Sequence, residues 1–289
     1  MKISDIYKNK GSKVLSFEIF PPKKDDELRD IEPTLDILSE LEPDYISVTF
    51  GAGGSSNNNK TIELAKKIKE VYHIEPVVHL TCLSYTGSEI DSFVSELQSA
   101  GIENVLALRG DINPNAPAKD EFAHASQLIE YLKPRTGFCI GGACYPEDHP
   151  ESPDHVSEMI NLKKKVDAGA DFLLSQLFFD NSHFYRFSQD AKIAGIDVPI
   201  TPGIMPAIKA GQITRMVTTC GAVLPDKFKK IIDKYGESKE ALYDAGMAYA
   251  MSQIIDLLTN DVDGIHLYTM NNPKVARTIC DGIKNIINV

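Results

Sequence analysis

The chain has 289 residues, with 30 Lys+Arg against 41 Asp+Glu and a formal charge of −11. A surface this acidic repels a phosphate backbone, which argues against nucleic-acid partners. An apolar fraction of 43% beside 25% charged residues is that of an ordinary globular protein and excludes wholesale disorder.

In chain order, Val14–Phe20 predicts a first strand. Glu27–Leu41 follows as a helix, with Leu28, Ile31, Leu35 and Leu38 at spacings of three and four. Tyr45–Phe50 is a second strand and Thr61–Tyr72 a second helix. Pro76–Cys82 is a third strand. Ser88–Ala100 is a helix whose Ser88-x-x-Asp91 resembles a capping box. Asn104–Asp111 and Phe138–Tyr145 are strands flanking a helix at Ser126–Lys133. Asp154–Ala168 is a helix before the strand Asp171–Phe179, and Ser182–Ala194 one before the strand Val198–Met205. Helices at Ile213–Cys220, Pro225–Tyr235 and Ser238–Asn260 lead to a last strand, Gly264–Met270, and a helix at Asn272–Asn285. Eight short apolar strands alternating with helices indicate a parallel sheet with crossover helices. Eight such units in 289 residues favour a closed (β/α)8 TIM barrel, a single domain over 1–289, above an open doubly wound sheet.

No apolar run approaches the roughly 20 residues that cross a bilayer, so no membrane role is expected. Met1–Asp5 lacks a signal-peptide core. Cys82, Cys139, Cys144, Cys220 and Cys280 are scattered without zinc-ligand spacing and read as reduced thiols of a cytoplasmic protein with no metal site.

In a barrel the active site lies at the C-terminal ends of the strands, and alternate residues point inward. Polar residues interrupt the apolar runs there: Glu18 in the first strand, Ser47 and Thr49 in the second, His79 and Thr81 in the third. The later strands add Arg109 with Asp111, then Gln176, then His266 with Tyr268. Six of eight strands converging in this way indicate a site. Glu18 lies between Phe17, Ile19 and Phe20; desolvation there would raise its pKa and suit it to general-acid work. A salt bridge to Arg109 across the barrel is the alternative. Gly51-Ala52-Gly53-Gly54-Ser55 looks like a phosphate loop but fails both the dinucleotide and Walker patterns, and reads as a flexible loop over the mouth. Lys163-Lys164-Lys165 is a charge run of which one or two members could reach an anionic ligand. Tyr145-Pro146-Glu147-Asp148-His149-Pro150 reads as an ordered loop.

The set Ser16-Phe17-Glu18-Ile19-Phe20-Pro21-Pro22, Val48-Thr49-Phe50-Gly51-Ala52, His79-Leu80-Thr81-Cys82, Leu108-Arg109-Gly110-Asp111, Gln176-Leu177-Phe178-Phe179-Asp180, Pro202-Gly203-Ile204-Met205-Pro206 and Tyr268-Thr269-Met270-Asn271 closely resembles bacterial 5,10-methylenetetrahydrofolate reductase, in order from about Ser16 to Asn271. Tyr145-Pro146-Glu147-x-His149-Pro150 and Asn161-Leu162-Lys163-x-Lys165 belong to the same set.

The resemblance implies a FAD-containing barrel that takes a hydride from NADH or NADPH and, in ping-pong fashion, reduces methylenetetrahydrofolate to 5-methyltetrahydrofolate for one-carbon metabolism and methionine synthesis. It implies Glu18 as general acid, Asp111 as the carboxylate that stabilises an iminium, and Gln176 as a folate contact. FAD contacts would come from Thr49, His79, Leu108, Arg109, Gly110, Asp111, His124, Ala125, Tyr145, His149, Glu158, Asn161, Lys164, Lys165 and Ala170. Gln212 and Tyr268, with Glu18 and Gln176, would bind substrate. The sequence departs from many relatives at Asn272 and Lys164, where Arg is common, at Glu158, where Asp is common, and at His124 and Met216, which replace aromatic residues of some relatives. Family members are commonly homo-oligomers. The alternative is a flavoprotein subunit taking electrons from an iron–sulfur partner.

Overall fold

The computed structural model describes residues 1–22, 28–50, 55–112, 118–119 and 121–289, with the backbone alone of 55–58. The expected Gly51–Ser55 loop lies largely outside the described residues.

The strands are β1 (Val14–Ile19), β2 (Tyr45–Val48), β3 (Glu75–Thr81), β4 (Asn104–Leu108), β5 (Cys139–Cys144), β6 (Phe172–Ser175), β7 (Ile200–Thr201), β8 (Gly203–Ile204) and β9 (Gly264–Tyr268). All ladders are parallel, in the order β7-β6-β5-β4-β3-β2-β1-β9-β8. β7 and β8 are consecutive across Pro202, so the order begins and ends on one interrupted strand and the sheet closes. Pro202 has no N–H for the ladder, but its carbonyl accepts from His266 N at 3.0 Å, which stitches the closure. The expected seventh strand, Val198–Met205, is thus two dipeptide ladders around a proline.

The helices are α1 (Ile3–Asn9), α2 (Glu32–Ser39), α3 (Ser55–Glu70), α4 (Gly87–Ser99), α5 (Ala125–Leu132), α6 (His155–Asp167), α7 (Asn181–Ile193), α8 (Ala210–Cys220), α9 (Asp226–Tyr235), α10 (Lys239–Thr259) and α11 (Pro273–Ile283). A 3-10 turn at Leu28–Ile31 and Pro33 divide the expected first helix. The capping box of α4 is Thr86 with Glu89, two residues before the expected pair: Glu89 N donates to Thr86 Oγ1 and Thr86 N to Glu89 Oε2. Among the described residues, no helix is long and apolar enough to cross a membrane.

Strand burial on both faces explains the near-continuous apolar runs. Leu15, Phe17, Ile19, Ile46, Val48, Leu80 and Ala107 face the helices in one large core. Val14, Tyr45, Val77, Leu106, Cys139, Phe172 and Leu174 fill the barrel's lower interior, and Ile3 and Ile6 of α1 close its floor. Pattern reading had not anticipated α1, since seven residues hold too few turns to show a period.

Candidate active site

The filled floor leaves the C-terminal end of the barrel as the open end. The inward parity there brings Glu18, Ser47, His79, His266 and Tyr268 together, as expected, and Gln176 follows directly on the end of β6. Register fixes the neighbours: Glu18 lies opposite Ser47 on one side and Tyr268 on the other, and Ser16 lies opposite His266. β4 departs from expectation. Its inward residues are Leu106 and Leu108, so Arg109 and Asp111 lie beyond the strand rather than on its inner face.

Glu18 is 9% exposed. Its Oε2 lies 3.5 Å from His79 Nε2 and 3.7 Å from His266 Nε2. The expected apolar pocket is absent because Phe17 and Ile19 point at the helices. The expected ion pair with Arg109 is absent too: that guanidinium binds Glu151 through two bonds of 2.5 and 2.9 Å. Burial pushes the His79 pKa below its ordinary value against the opposing charge of Glu18, so His79 is neutral. Thr269 Oγ1 donates to the Glu18 carbonyl at 2.7 Å, and Asn271 binds both backbone polar groups of Phe20, so the Glu18–Phe20 segment is held at the last strand.

Tyr268 donates its hydroxyl to the Ser175 carbonyl at 2.8 Å. Burial, with the negative charge of Glu18, sets its pKa well above the ordinary value. Gly203 makes room for this ring: a Cβ there would stand 2.4 Å from Ser175 O and 2.6 Å from Tyr268 Cε2. Gln176 is oriented by Leu177 N, which donates to its Oε1 at 2.9 Å. Gln212 sits half-buried in the first turn of α8.

A second group lies along the ends of β4–β6. Gly110 has φ +87°, and a Cβ there would meet Thr81 at 3.0 Å. Lys165 donates to the Ala143 carbonyl at 2.8 Å and lies 5.7 Å from the Tyr145 ring centroid. Burial pushes its pKa down while Glu158, itself 4% exposed and bonded by Ser152, opposes the shift. Tyr145 meets His149 edge-on at 4.7 Å. Ala170 is buried. Asn161 and Lys164 are exposed and bonded to each other at 3.3 Å. His124 opens α5 beside Ala125, with its carbonyl 3.7 Å from Cys82 Sγ. Thr49 ends β2, its N–H on Ile19 O at 3.1 Å, and Asp111 is exposed. Asn272, in place of the usual Arg, caps α11 by accepting from Val275 N at 3.3 Å.

The loop after β5 is ordered by histidines. His155 bridges Asp148 at 2.7 Å and Asp190 at 3.0 Å, and His183 binds Glu147 at 2.6 Å. The Asp148 bond, then the second carboxylate, raises the His155 pKa above 6.5. A raised folded-state pKa means that the bridge stabilises fully below the unfolded value of 6.5 and less as pH rises through the folded value. The melting temperature of the wild type should therefore exceed that of His155→Gln most at acidic pH, with the gap closing above neutrality. A gap independent of pH would contradict this.

The sequence reading missed the direct pairing of Ser16 with His266 and of His266 with Glu18. Its signal was the shared parity of 16/18 and 266/268 on strands that meet only when the barrel closes.

The methylenetetrahydrofolate reductase family matches residues 2–284. The chain is 35% identical to 5,10-methylenetetrahydrofolate reductase of Escherichia coli K12 over 266 residues, covering 92% of this chain and 89% of that one. It is 35% identical to methylenetetrahydrofolate reductase (NADH) 1 of Arabidopsis thaliana over 295 residues, covering 96% of this chain and spanning half the length of that relative. Its fold matches, with TM-score 0.70 and 15% identity over 98% of this chain and 99% of the other, a Clostridium thermocellum protein described as binding two copies of 5-methyl-5,6,7,8-tetrahydrofolic acid. With the family matched across nearly its whole length, the chain belongs to the methylenetetrahydrofolate reductases, a family of oxidoreductases.

Proposed function

We propose that the barrel mouth binds FAD and reduces methylenetetrahydrofolate to 5-methyltetrahydrofolate with NADH or NADPH. The observation that carries this reading is Glu18: a buried carboxyl aimed into the mouth, flanked by imidazoles rather than by a cation. The mouth also fits the cofactor chemically. Ser47 Oγ and His79 Nε2 are buried polar atoms without a hydrogen-bond partner among the described residues, which suits a site for a polar heterocycle. Arg109, Lys164 and Lys165 bring local positive charge for a diphosphate to a chain of net charge −11. Gly110 lets backbone approach closely where a side chain would collide with Thr81.

FAD held there would supply the hydride chemistry between a nicotinamide and the folate methylene carbon, the two substrates using the mouth in turn. Glu18 holds a proton at its carboxyl and gives it to the leaving ring nitrogen, so that the folate's five-membered ring opens to an iminium. Tyr268 does not compete as an acid, since its proton is committed to Ser175 and its pKa is far too high. Asp111 supplies negative charge to the iminium. Gln176, with its oxygen held by Leu177 N, presents its amide nitrogen to the folate. Gln212 and Tyr268 flank the substrate. One hydride and one proton enter the folate, and solvent reprotonates Glu18.

The cofactor part of this reading is tested by titrating apoprotein with FAD and following flavin fluorescence. Binding of one equivalent is expected, weakened at least about tenfold in Lys165→Met through loss of a charge-assisted contact worth about 1.5–3 kcal/mol. Unchanged affinity would remove Lys165 from the site, and no binding by the wild type would remove FAD.

A further inference from the structure

Glu18 lies beside His266, which is fully buried. Ser16 Oγ lies 2.8 Å from His266 Nδ1 and directs its own hydrogen to the Ile265 carbonyl at 3.5 Å. A hydroxyl has one hydrogen, and with that hydrogen on the Ile265 carbonyl Ser16 accepts from Nδ1–H. That tautomer leaves His266 Nε2 as a bare lone pair. This atom has no hydrogen-bond partner among the described residues, and it lies 3.7 Å from Glu18 Oε2. A carboxylate facing a lone pair is repelled, whereas a carboxylic acid facing it can donate. We propose that His266 is a positioning residue that stores and aims the Glu18 proton: fixed by Ser16, its Nε2 accepts from the Glu18 carboxylic acid between turnovers. This rests on the reading of Glu18 as proton donor.

Among the described residues, no lysine or arginine pairs with Glu18. The groups facing the pair are Ser16 from β1, Tyr45 and Ser47 from β2, His79 from β3 and Tyr268 from β9. His79 brings no positive charge, because burial lowers its pKa. Tyr268 brings no negative charge, with its pKa well above the ordinary value, nor does Tyr45, whose pKa burial raises to about 12.

The test compares the pH profiles of the two half-reactions in FAD-loaded protein and reads the tautomer directly. His266→Asn keeps an amide at Ser16 and withdraws the acceptor from Glu18. It should move the basic limb of the folate half-reaction down by at least about one pH unit, a tenfold change in proton affinity. The limb of the nicotinamide half-reaction should stay in place. His266→Gln, which returns an amide oxygen near the Nε2 position, should restore most of the shift. Nitrogen-15 imidazole spectra of the wild-type protein should show His266 protonated at Nδ1 alone. Superimposable folate profiles, whatever the loss in rate, reduce His266 to packing and overturn the proposal; so does an Nε2–H tautomer. If His266→Asn does not fold, the wild-type spectrum decides. Folate turnover that survives in Glu18→Gln removes the reading beneath the proposal. Turnover lost there, with no shift in His266→Asn, removes the proposal alone.

Discussion

Glu18→Gln is expected to lower methylenetetrahydrofolate reduction by at least about 100-fold, the lower end of what a positioned general acid supplies. Glutamine matches the shape of glutamic acid but has no acidic proton to give the leaving nitrogen. The substitution leaves the neighbours of Glu18 in place, because its backbone is pinned by Thr269 and the chamber walls come from other strands. Transfer from the nicotinamide needs no proton from Glu18, so nicotinamide oxidation should fall far less, and FAD should still bind. Rapid-mixing measurement of the two half-reactions separates these outcomes. Folate reduction within about tenfold of wild type, an effect below about 1.4 kcal/mol, would show that Glu18 is not the acid.

Phe172→Ala is expected to cost about 3–5 kcal/mol of stability, the usual range for removing a buried aromatic ring. The ring is fully buried in the lower barrel, with centroids 6.1 Å from Tyr7 and 6.3 Å from Tyr45. It fills the space that Gly141 leaves open, since a Cβ on that glycine would stand 2.5 Å from Phe172 Cζ. Truncation would empty a cavity bounded by strands and by α1, none of which can collapse into it without breaking ladder bonds. Denaturant unfolding should show a lower midpoint with the slope unchanged. A loss below about 1 kcal/mol would mean that the floor repacks and that the ring is not its centre.

The barrel was legible because a parallel strand buried on both faces reads as an apolar run, and each of these runs stands between helical periods. Two features escaped. The seventh strand hides its break, because an apolar stretch around Pro202 looks continuous while the missing N–H splits the ladder. The floor helix α1 is too short to show a period and is fixed by tertiary burial of Ile3 and Ile6. On the inner face of the barrel, strand parity placed Glu18, His79 and Tyr268 where the structure has them. It failed at Arg109 and Asp111, where alternation stops meaning anything because β4 ends at Leu108. The environment of Glu18 was misjudged because Phe17 and Ile19 adjoin it in sequence yet occupy the opposite face of the sheet. Its real neighbours are on other strands, and two of them, His266 and Tyr268, meet it only through the closure that pairs the first strand with the last. Asn272 likewise could not be assigned from its position alone: its side chain caps a helix where relatives commonly offer an arginine.

The most direct test is a two-step anaerobic mixing experiment on the wild-type protein loaded with FAD. NADH or NADPH should bleach the flavin's visible absorbance. Methylenetetrahydrofolate added after removal of the nicotinamide should restore the absorbance and yield one equivalent of 5-methyltetrahydrofolate. Protein that cannot be loaded with FAD, or flavin that bleaches and is not restored by methylenetetrahydrofolate, would contradict the account.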